Sequence, residues 1–336
     1  YKKINKCRIS QDKNLIEVCN FGDISLTGIF PKNAKSPIPR TPLTVVFSSK
    51  SKLLQLKHNY NPNKLFGNNY GYRSGLNNSM VTHLHKKFLK LNKVYNLKKS
   101  DEILDIGSND GTFLNFFSNQ STRVGCDPSA KKFKKYYNKR IKIINKIFDK
   151  NTTGQLKYKF KIISAIAMFY DLDRPLVFCK NIEKIIDEEG IFHVEVAYLP
   201  DIFKKFSFDT FCQEHLTYFS YISFKNLISK TNFKIIDYSR NSINGGSINF
   251  DLALKVSNHK PKTKKLQKLY DYELKNKFDK FHKYKSFFKQ VEKNIDEIKT
   301  TIQDLAKKNK KIFGFGASTK GNVTLQLCKL DNKLIK

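Results

Sequence analysis

Ile103-Leu104-Asp105-Ile106-Gly107-Ser108-Asn109-Asp110-Gly111 is a short apolar run that ends on an acid, turns through two glycines and restarts as an amphipathic segment. Such a run reads as a buried parallel strand feeding a helix. Glycines at the turn let the backbone approach a ligand closely. Asp127, just past the next strand (122–126), stands where it can accept hydrogen bonds from ribose hydroxyls. The tighter G-x-G-x-x-G of a pyrophosphate cradle is absent, and the spacing here is G-x-x-x-G with an acid before it. That pattern favours S-adenosylmethionine, whose sulfonium nucleoside has no pyrophosphate to hold. Asp105, Gly107, Ser108, Asn109, Gly111 and Asp127 are the candidate cofactor residues.

Strands and helices alternate on either side of this turn. Met80, Leu84, Phe88 and Leu91 recur at helical spacing after Asn78 or Ser79 as a cap, predicting a helix over 78–95 that leads into the cofactor strand. Beyond it the pattern predicts helix 112–118, strand 122–126, helix 129–138, strands 141–144 and 161–167, helix 173–187 with Pro175 in its first turn, and strand 190–196. Helix 223–230 and strands 233–238 and 246–255 complete seven strands. The last two follow one another without a helix, which makes the final strand antiparallel. The fold class is α/β, a Rossmann-like seven-stranded sheet of the class I S-adenosylmethionine methyltransferase type. It is flanked by a small loop-rich N-terminal domain (1–75) and a partial C-terminal α/β domain (258–336), the methyltransferase domain being 76–257. In the last part, Tyr284, Phe288, Val291, Ile295, Ile298, Ile302 and Leu305 form a heptad stripe, read as a core-facing helix ahead of a coiled-coil dimer. Lys311 to Asn322 then reads as another strand, glycine turn and helix. One strand and one helix cannot bury a core, so the chain is expected to stop inside its third domain.

The 336 residues carry a net charge of +34, which taken alone suggests a nucleic-acid or anionic membrane partner. Only seven of the 63 basic residues are Arg, the better fork for phosphates and base edges, and Lys is spread over every segment. A Pro-Pro-aromatic motif of the kind used by base-methylating enzymes is also missing, and nucleic acid is disfavoured. Such a field would still draw in an anionic small substrate. Six cysteines without a C-x-x-C pair suit free thiols in a reducing compartment, and no apolar run has membrane-spanning length. The expectation is a cytoplasmic protein, monomer or homodimer, whose start at Tyr1 is trimmed.

Titratable side chains concentrate in 208–218, between the fifth strand and the next helix, on the same sheet edge as the cofactor turn. His215 beside Glu214 is the best general base available. Phe169, Tyr170 and Asp171 sit just past the fourth strand, where a methyl donor's sulfonium would lie. Tyr70, Tyr72, Arg73 and Ser74 form an aromatic, glycine-flanked loop that faces either substrate or its own packing. Gly245, Gly246 and Ser247, at the turn into the last strand, carry a weaker signal.

Taken together, Tyr70-Gly-Tyr-Arg-Ser-Gly-Leu, Leu104-Asp-Ile-Gly-Ser-Asn-Asp-Gly-Thr, Ser164-Ala-Ile-Ala-Met-Phe-Tyr-Asp-Leu, Gln213-Glu-His-Leu, Gly245-Gly-Ser and Gly316-Ala-Ser-Thr-Lys-Gly-Asn-Val occur in one order. In these motifs the chain resembles the three-domain sugar C-methyltransferases, typified by NDP-hexose 3-C-methyltransferases of deoxysugar biosynthesis. The resemblance implies removal of the C3 proton of an NDP-4-keto-deoxyhexose and attack of the enolate on the methyl group of S-adenosylmethionine. It implies His215 as base with Glu214 orienting it, and the Tyr70–Tyr72 loop closing over the sugar. Phe148, Ala165 and Phe169 join the cofactor set, and Arg73, Ser74, Tyr170, Gly245, Gly246, Ser247, Ser318, Lys320 and Asn322 the substrate set. The family's N-terminal domain holds zinc with four cysteines, whereas the matching positions here are Cys7, Ser10, Ser48 and Ser51, which implies that zinc is lost. Cys212 and Gln213 stand where many members have Tyr and His. The lost zinc ligands and the partial third domain leave a catalytically silent nucleotide-sugar-binding remnant as the alternative.

Overall fold

Leu15–Ser25 (β1), Arg40–Ser48 (β2) and Leu53–Leu56 (β3) pair as an antiparallel meander in the computed structural model of the chain, which describes residues 1–29, 33, 36–66, 70–314 and 318–335. Alternating Val18, Val45, Phe47, Leu54 and Leu56 turn one face of this sheet into a buried surface. Helix α1, Asn78–Tyr95, follows with the bounds its periodicity predicts. Its cap is Asn77, one residue earlier than expected, whose side chain accepts from the Ser79 N–H. Lys87 on its inner face is buried and pairs with Glu195 at 2.5 Å, which fixes the helix against the large sheet.

The large sheet has the expected seven strands: Ile103–Ile106 (β4), Arg123–Cys126 (β5), Lys142–Ile144 (β6), Phe160–Ile166 (β7), Ile186–Ala197 (β8), and, after the two-residue strand Thr217–Tyr218 (β9), Phe233–Asn241 (β10) and Ser247–Leu254 (β11). Their order is β10-β11-β8-β7-β4-β5-β6, with β11 antiparallel to both neighbours and the others parallel. This is the class I methyltransferase sheet, and it sets the carboxyl ends of β4, β5, β7 and β8 along one edge. β9 belongs to the other sheet, where it extends β3.

Two of the predicted helices are absent. Segments 112–118 and 129–138 hold only single 3-10 turns, Leu114–Phe116 and Lys134–Tyr136. Their polar side chains bond to the main chain of each other rather than letting helices propagate. Asn115 donates to the Tyr136 carbonyl and accepts from the Asn138 N–H, both at 3.0 Å. Arg123, fully buried, donates to the carbonyls of Leu114 and Phe117. The helix predicted over 173–187 is shorter, Pro175–Glu183 (α2), because β8 already begins at Ile186.

Besides the short helices Pro62–Phe66 and Lys150–Gly154, the described residues also form Leu199–Lys204 (α3), Tyr221–Ile228 (α4), Thr263–Lys275 (α5), Phe281–Lys307 (α6) and Thr319–Leu327 (α7). The heptad stripe is core-facing over its first half only. Tyr284, Phe288 and Val291 are buried against the small sheet, Ile295 and Ile298 partly so, and Leu305 is exposed. The strand expected from Lys311 does not form among the described residues 311–314, and the glycine turn at 315–317 lies outside the described residues. Among the described residues no helix is long and apolar enough to cross a membrane.

Candidate active site

Cofactor-turn geometry follows from three residues with positive φ: Gly107 (76°), Asn109 (51°) and Gly111 (75°). The Gly107 N–H donates to the Cys126 carbonyl at 2.8 Å, tying the ends of β4 and β5 together. Asp127 accepts from the Asn109 N–H at Oδ2 (2.9 Å) and from the main-chain and side-chain groups of Ser129 at Oδ1 (both 2.6 Å). With one donor on Oδ2, that oxygen keeps acceptor capacity for a ribose hydroxyl. The donor set therefore fits the nucleoside of S-adenosylmethionine. Asp105 accepts from Ser164 Oγ at 2.6 Å across the β4–β7 register, and burial pushes its pKa up to about 7 against that bond.

Several residues around this turn have no sequence signal. Tyr137 lies over it: its hydroxyl bonds Ser108 Oγ and donates to the Asn109 carbonyl, both at 2.8 Å. A Cβ on Gly111 would stand 2.5 Å from the Tyr137 ring, so this glycine makes room for a tyrosine. Asp110, also buried, accepts from the Gly75 N–H (2.9 Å), while Asn109 accepts from the Ser74 N–H (2.8 Å) and donates to the Tyr72 carbonyl (3.0 Å). Two adjacent turn residues thus hold the Tyr72–Gly75 loop on the cofactor turn. Arg73 serves the same attachment: its guanidinium stacks 4.0 Å over Tyr136 and approaches Asp110 at 3.5 Å.

Phe148, Ala165 and Phe169 belong to the main hydrophobic core. Phe169 has no exposed surface and is packed among Phe178, Phe192, Phe219 and Phe224. Its neighbour Tyr170 faces the site, with its ring 4.7 Å from that of His215 in a T-shaped contact.

His215 is placed by a backbone bond. Its Nδ1 lies 2.8 Å from the Thr210 carbonyl, which can only accept, so Nδ1 carries the proton and Nε2 keeps its lone pair. Burial, with the charge of Lys320 adding to it, lowers the imidazole pKa to about 4 despite the Thr210 bond, and the ring is neutral at physiological pH. Glu214 does not orient it. The Glu214 carboxylate turns away to accept from Thr27 Oγ1 at 2.8 Å and lies against Gly28, where an added Cβ would meet Oε1 at 2.2 Å. Gln213 reaches the same region, accepting from Thr27 Oγ1 and donating to the Ile24 carbonyl. The Gln213-Glu214 pair thus fastens the base loop to the small sheet.

Asp171 Oδ1, Glu214 Oε1, Thr210 Oγ1 and the Tyr218 hydroxyl are buried and have no hydrogen-bond partner among the described residues. Burial raises the pKa of Asp171 and of Glu214, the charge of Glu214 adding to the shift at Asp171. The Tyr70 hydroxyl is held protonated by burial and by the carboxylates of Asp171, Asp127 and Glu214. Tyr72 is exposed at the outer end of the same loop, 6.4 Å from Tyr70 ring to ring.

The third group of predicted residues divides. Lys320 reaches the site rim, donating to the Asn244 carbonyl at 3.1 Å beside Gly245. Gly246 (φ 132°) is required by Asp201, whose Cβ would lie 2.5 Å from any Cβ there, and buried Ser247 donates to the Ile243 carbonyl. Ser318 is the N-cap of α7, accepting from the Gly321 N–H. Asn322, expected at the substrate, donates to the Thr27 carbonyl at 3.0 Å.

Sequence models of three families match successive parts of the chain: a zinc-binding domain over residues 7–66, a methyltransferase domain over 78–238 and a C-methyltransferase C-terminal domain over 242–336. The three matches together span nearly the whole chain in one order, and the last of them is to a C-methyltransferase domain. The C-methyltransferase NovU of Streptomyces niveus is 25% identical over 344 residues, covering 100% of this chain and 81% of that protein. Among solved structures, the N-methyltransferase NodS of Bradyrhizobium japonicum, in complex with S-adenosyl-L-homocysteine, covers 52% of this chain and 87% of its own at 13% identity and a TM-score of 0.38. An S-adenosylmethionine-dependent methyltransferase of Clostridium acetobutylicum covers 52% and 92% at 14% identity and a TM-score of 0.40. The methyltransferase-domain match and the strand order together make this a class I S-adenosylmethionine-dependent methyltransferase fold.

Proposed function

We propose that the chain methylates the carbon next to the ketone, C3, of an NDP-4-keto-deoxyhexose. The observation that carries this reading is the His215 tautomer. With Nδ1–H spent on the Thr210 carbonyl, Nε2 is an unprotonated base, and Thr210 and Glu214 of the same loop carry buried oxygens that have no hydrogen-bond partner among the described residues. A carbon acid alpha to a carbonyl needs such a base, together with a hydrogen-bond donor at the oxygen where enolate charge develops. Tyr70, kept protonated, is the donor, and its loop is anchored to the cofactor turn by Asn109 and Asp110. His215 takes the C3 proton onto Nε2 and the C–H electron pair passes into the enolate. Asp127 and the Gly107–Gly111 turn would hold S-adenosylmethionine, which supplies an electrophilic methyl group to the enolate carbon. Asp171 and Glu214 offer their unpaired oxygens to sugar hydroxyls, and Lys320 at the rim suits the diphosphate. Solvent exchange tests the first half of this reaction. In D2O the protein should place deuterium at C3 of a keto-deoxyhexose nucleotide, and His215→Ala should slow this by about 10²–10⁴-fold. Undiminished exchange in that variant removes His215 as the base.

A further inference from the structure

The residues that match the four zinc-holding cysteines come together in space. Cys7 Sγ lies 3.0 Å from Ser51 Oγ, and Ser10 Oγ lies 3.4 Å from Ser48 Oγ. Each pair of positions, Cys7 with Ser10 and Ser48 with Ser51, spans one tight turn with two residues between. Both turns end alike, in a non-glycine residue forced to positive φ: Gln11 at 58° and Lys52 at 59°. Within each turn a main-chain N–H points back at the first side chain, Ile9 N–H at Cys7 Sγ and Ser51 N–H at Ser48 Oγ, both at 3.4 Å. Two equivalent turns converging four short side chains is the backbone of a tetrahedral metal cage.

The donor set does not fit the metal. Zinc in such cages is bound by thiolates or imidazoles, and serine hydroxyls stay protonated and bind it poorly. Among the described residues no group of three or more His, Cys, Asp or Glu could hold a metal ion here or elsewhere. We infer that this module has kept the two-turn cage of a zinc site while replacing the ion with a closed set of side-chain hydrogen bonds among Cys7, Ser10, Ser48 and Ser51. The cage then depends on its surroundings. Arg8, between the two first donors, is buried and bonds Gln55, the Leu56 carbonyl and Asn59, which pins the first turn to β3 without any metal.

The test measures metal rather than catalysis. Elemental analysis of the purified chain should find no stoichiometric zinc, and EDTA should leave its thermal midpoint unmoved. The triple variant Ser10→Cys, Ser48→Cys, Ser51→Cys should regain one zinc per chain, with a midpoint that rises with zinc and falls with EDTA. Cobalt(II) should give thiolate-to-metal charge-transfer absorption in that variant and none in the parent. Stoichiometric zinc in the parent, or an EDTA-sensitive midpoint, overturns the inference. So does a folded triple variant that takes up no metal. Should the triple variant not fold, the parent's zinc content and EDTA response still decide the matter.

Discussion

His215 works as a base because of where its other nitrogen is spent. The Thr210 carbonyl, five residues earlier in the same loop, fixes the tautomer, and burial keeps the ring neutral with a pKa lowered to about 4. The unfolded value is near 6.5, so the folded chain binds fewer protons than the unfolded chain between these limits. This residue therefore costs the protein stability progressively as pH falls from about 6.5 towards 4. For the reaction, the base form is already complete at pH 6, and kcat/KM for C3 exchange should be flat from about pH 6 to 8 on its account. Glu214→Gln should leave that profile in place, because its partner is Thr27 and not the imidazole. An acid limb that moves by a full pH unit in Glu214→Gln would restore Glu214 as the group that tunes His215. Adjacency in sequence suggested such a pairing. The competing partner stands 187 residues away, on a segment with no pattern of its own, and nothing local signals it.

At the level of elements, the seven strands were legible because each carries apolar residues that the sheet buries, completely in β4 and almost so in β7 though only at Ile144 in β6, and α1 because four turns repeat one apolar stripe. The turns at 114–116 and 134–136 were not, since their apolar spacing is helical while the deciding interactions are side chain to main chain between the two segments. Helix α4 shows the same dependence on distant residues. Ser220 and Ser223 close a capping box at its start, but the first N–H groups of the helix, on Tyr221 and Ile222, donate to Glu273 of α5 at 2.7 and 2.9 Å. The Tyr198 hydroxyl donates to the same carboxyl at 2.8 Å. Glu273→Ala would leave three buried donors without an acceptor, each costing about 1–3 kcal/mol, so urea unfolding should show a loss of about 3–5 kcal/mol. A loss under about 1 kcal/mol would mean that water or another group takes over the cap. Burial pushes the Glu273 pKa up to about 7 from an ordinary 4.5. Its contribution is thus full at low pH and declines as pH rises from about 4.5 to 7, a dependence that Glu273→Gln should remove.

For the whole molecule, the small sheet and the base loop share one hydrophobic core rather than forming separate units. Val45, Phe47, Leu54 and Leu56 of the sheet pack with Phe203, Phe208 and Phe211 before His215 and with Tyr284, Phe287, Phe288 and Val291 of α6. Phe203 stacks on Phe287 at 3.8 Å, Tyr284 meets Phe47 at 4.8 Å, and Phe288 meets Phe211 at 4.8 Å. Helix α7 adds polar ties, with Gln326 bonding both main-chain groups of Ser25. A module without thiolate ligands forgoes the roughly 10–16 kcal/mol that structural zinc supplies to a folding domain, and a few hydroxyl bonds of about 1 kcal/mol each do not replace it. Shared apolar burial is what remains to hold it. Phe288→Ala should then cost about 3–5 kcal/mol, and the loss should reach well beyond α6. Hydrogen exchange is the measurement: amides of β1 to β3 and of 207–216 should lose protection together in this variant, with C3 exchange activity failing at the same temperature. If β1 to β3 keep full protection while α6 opens, the sheet has a stability of its own, and the source of that stability would have to lie within residues 1–75.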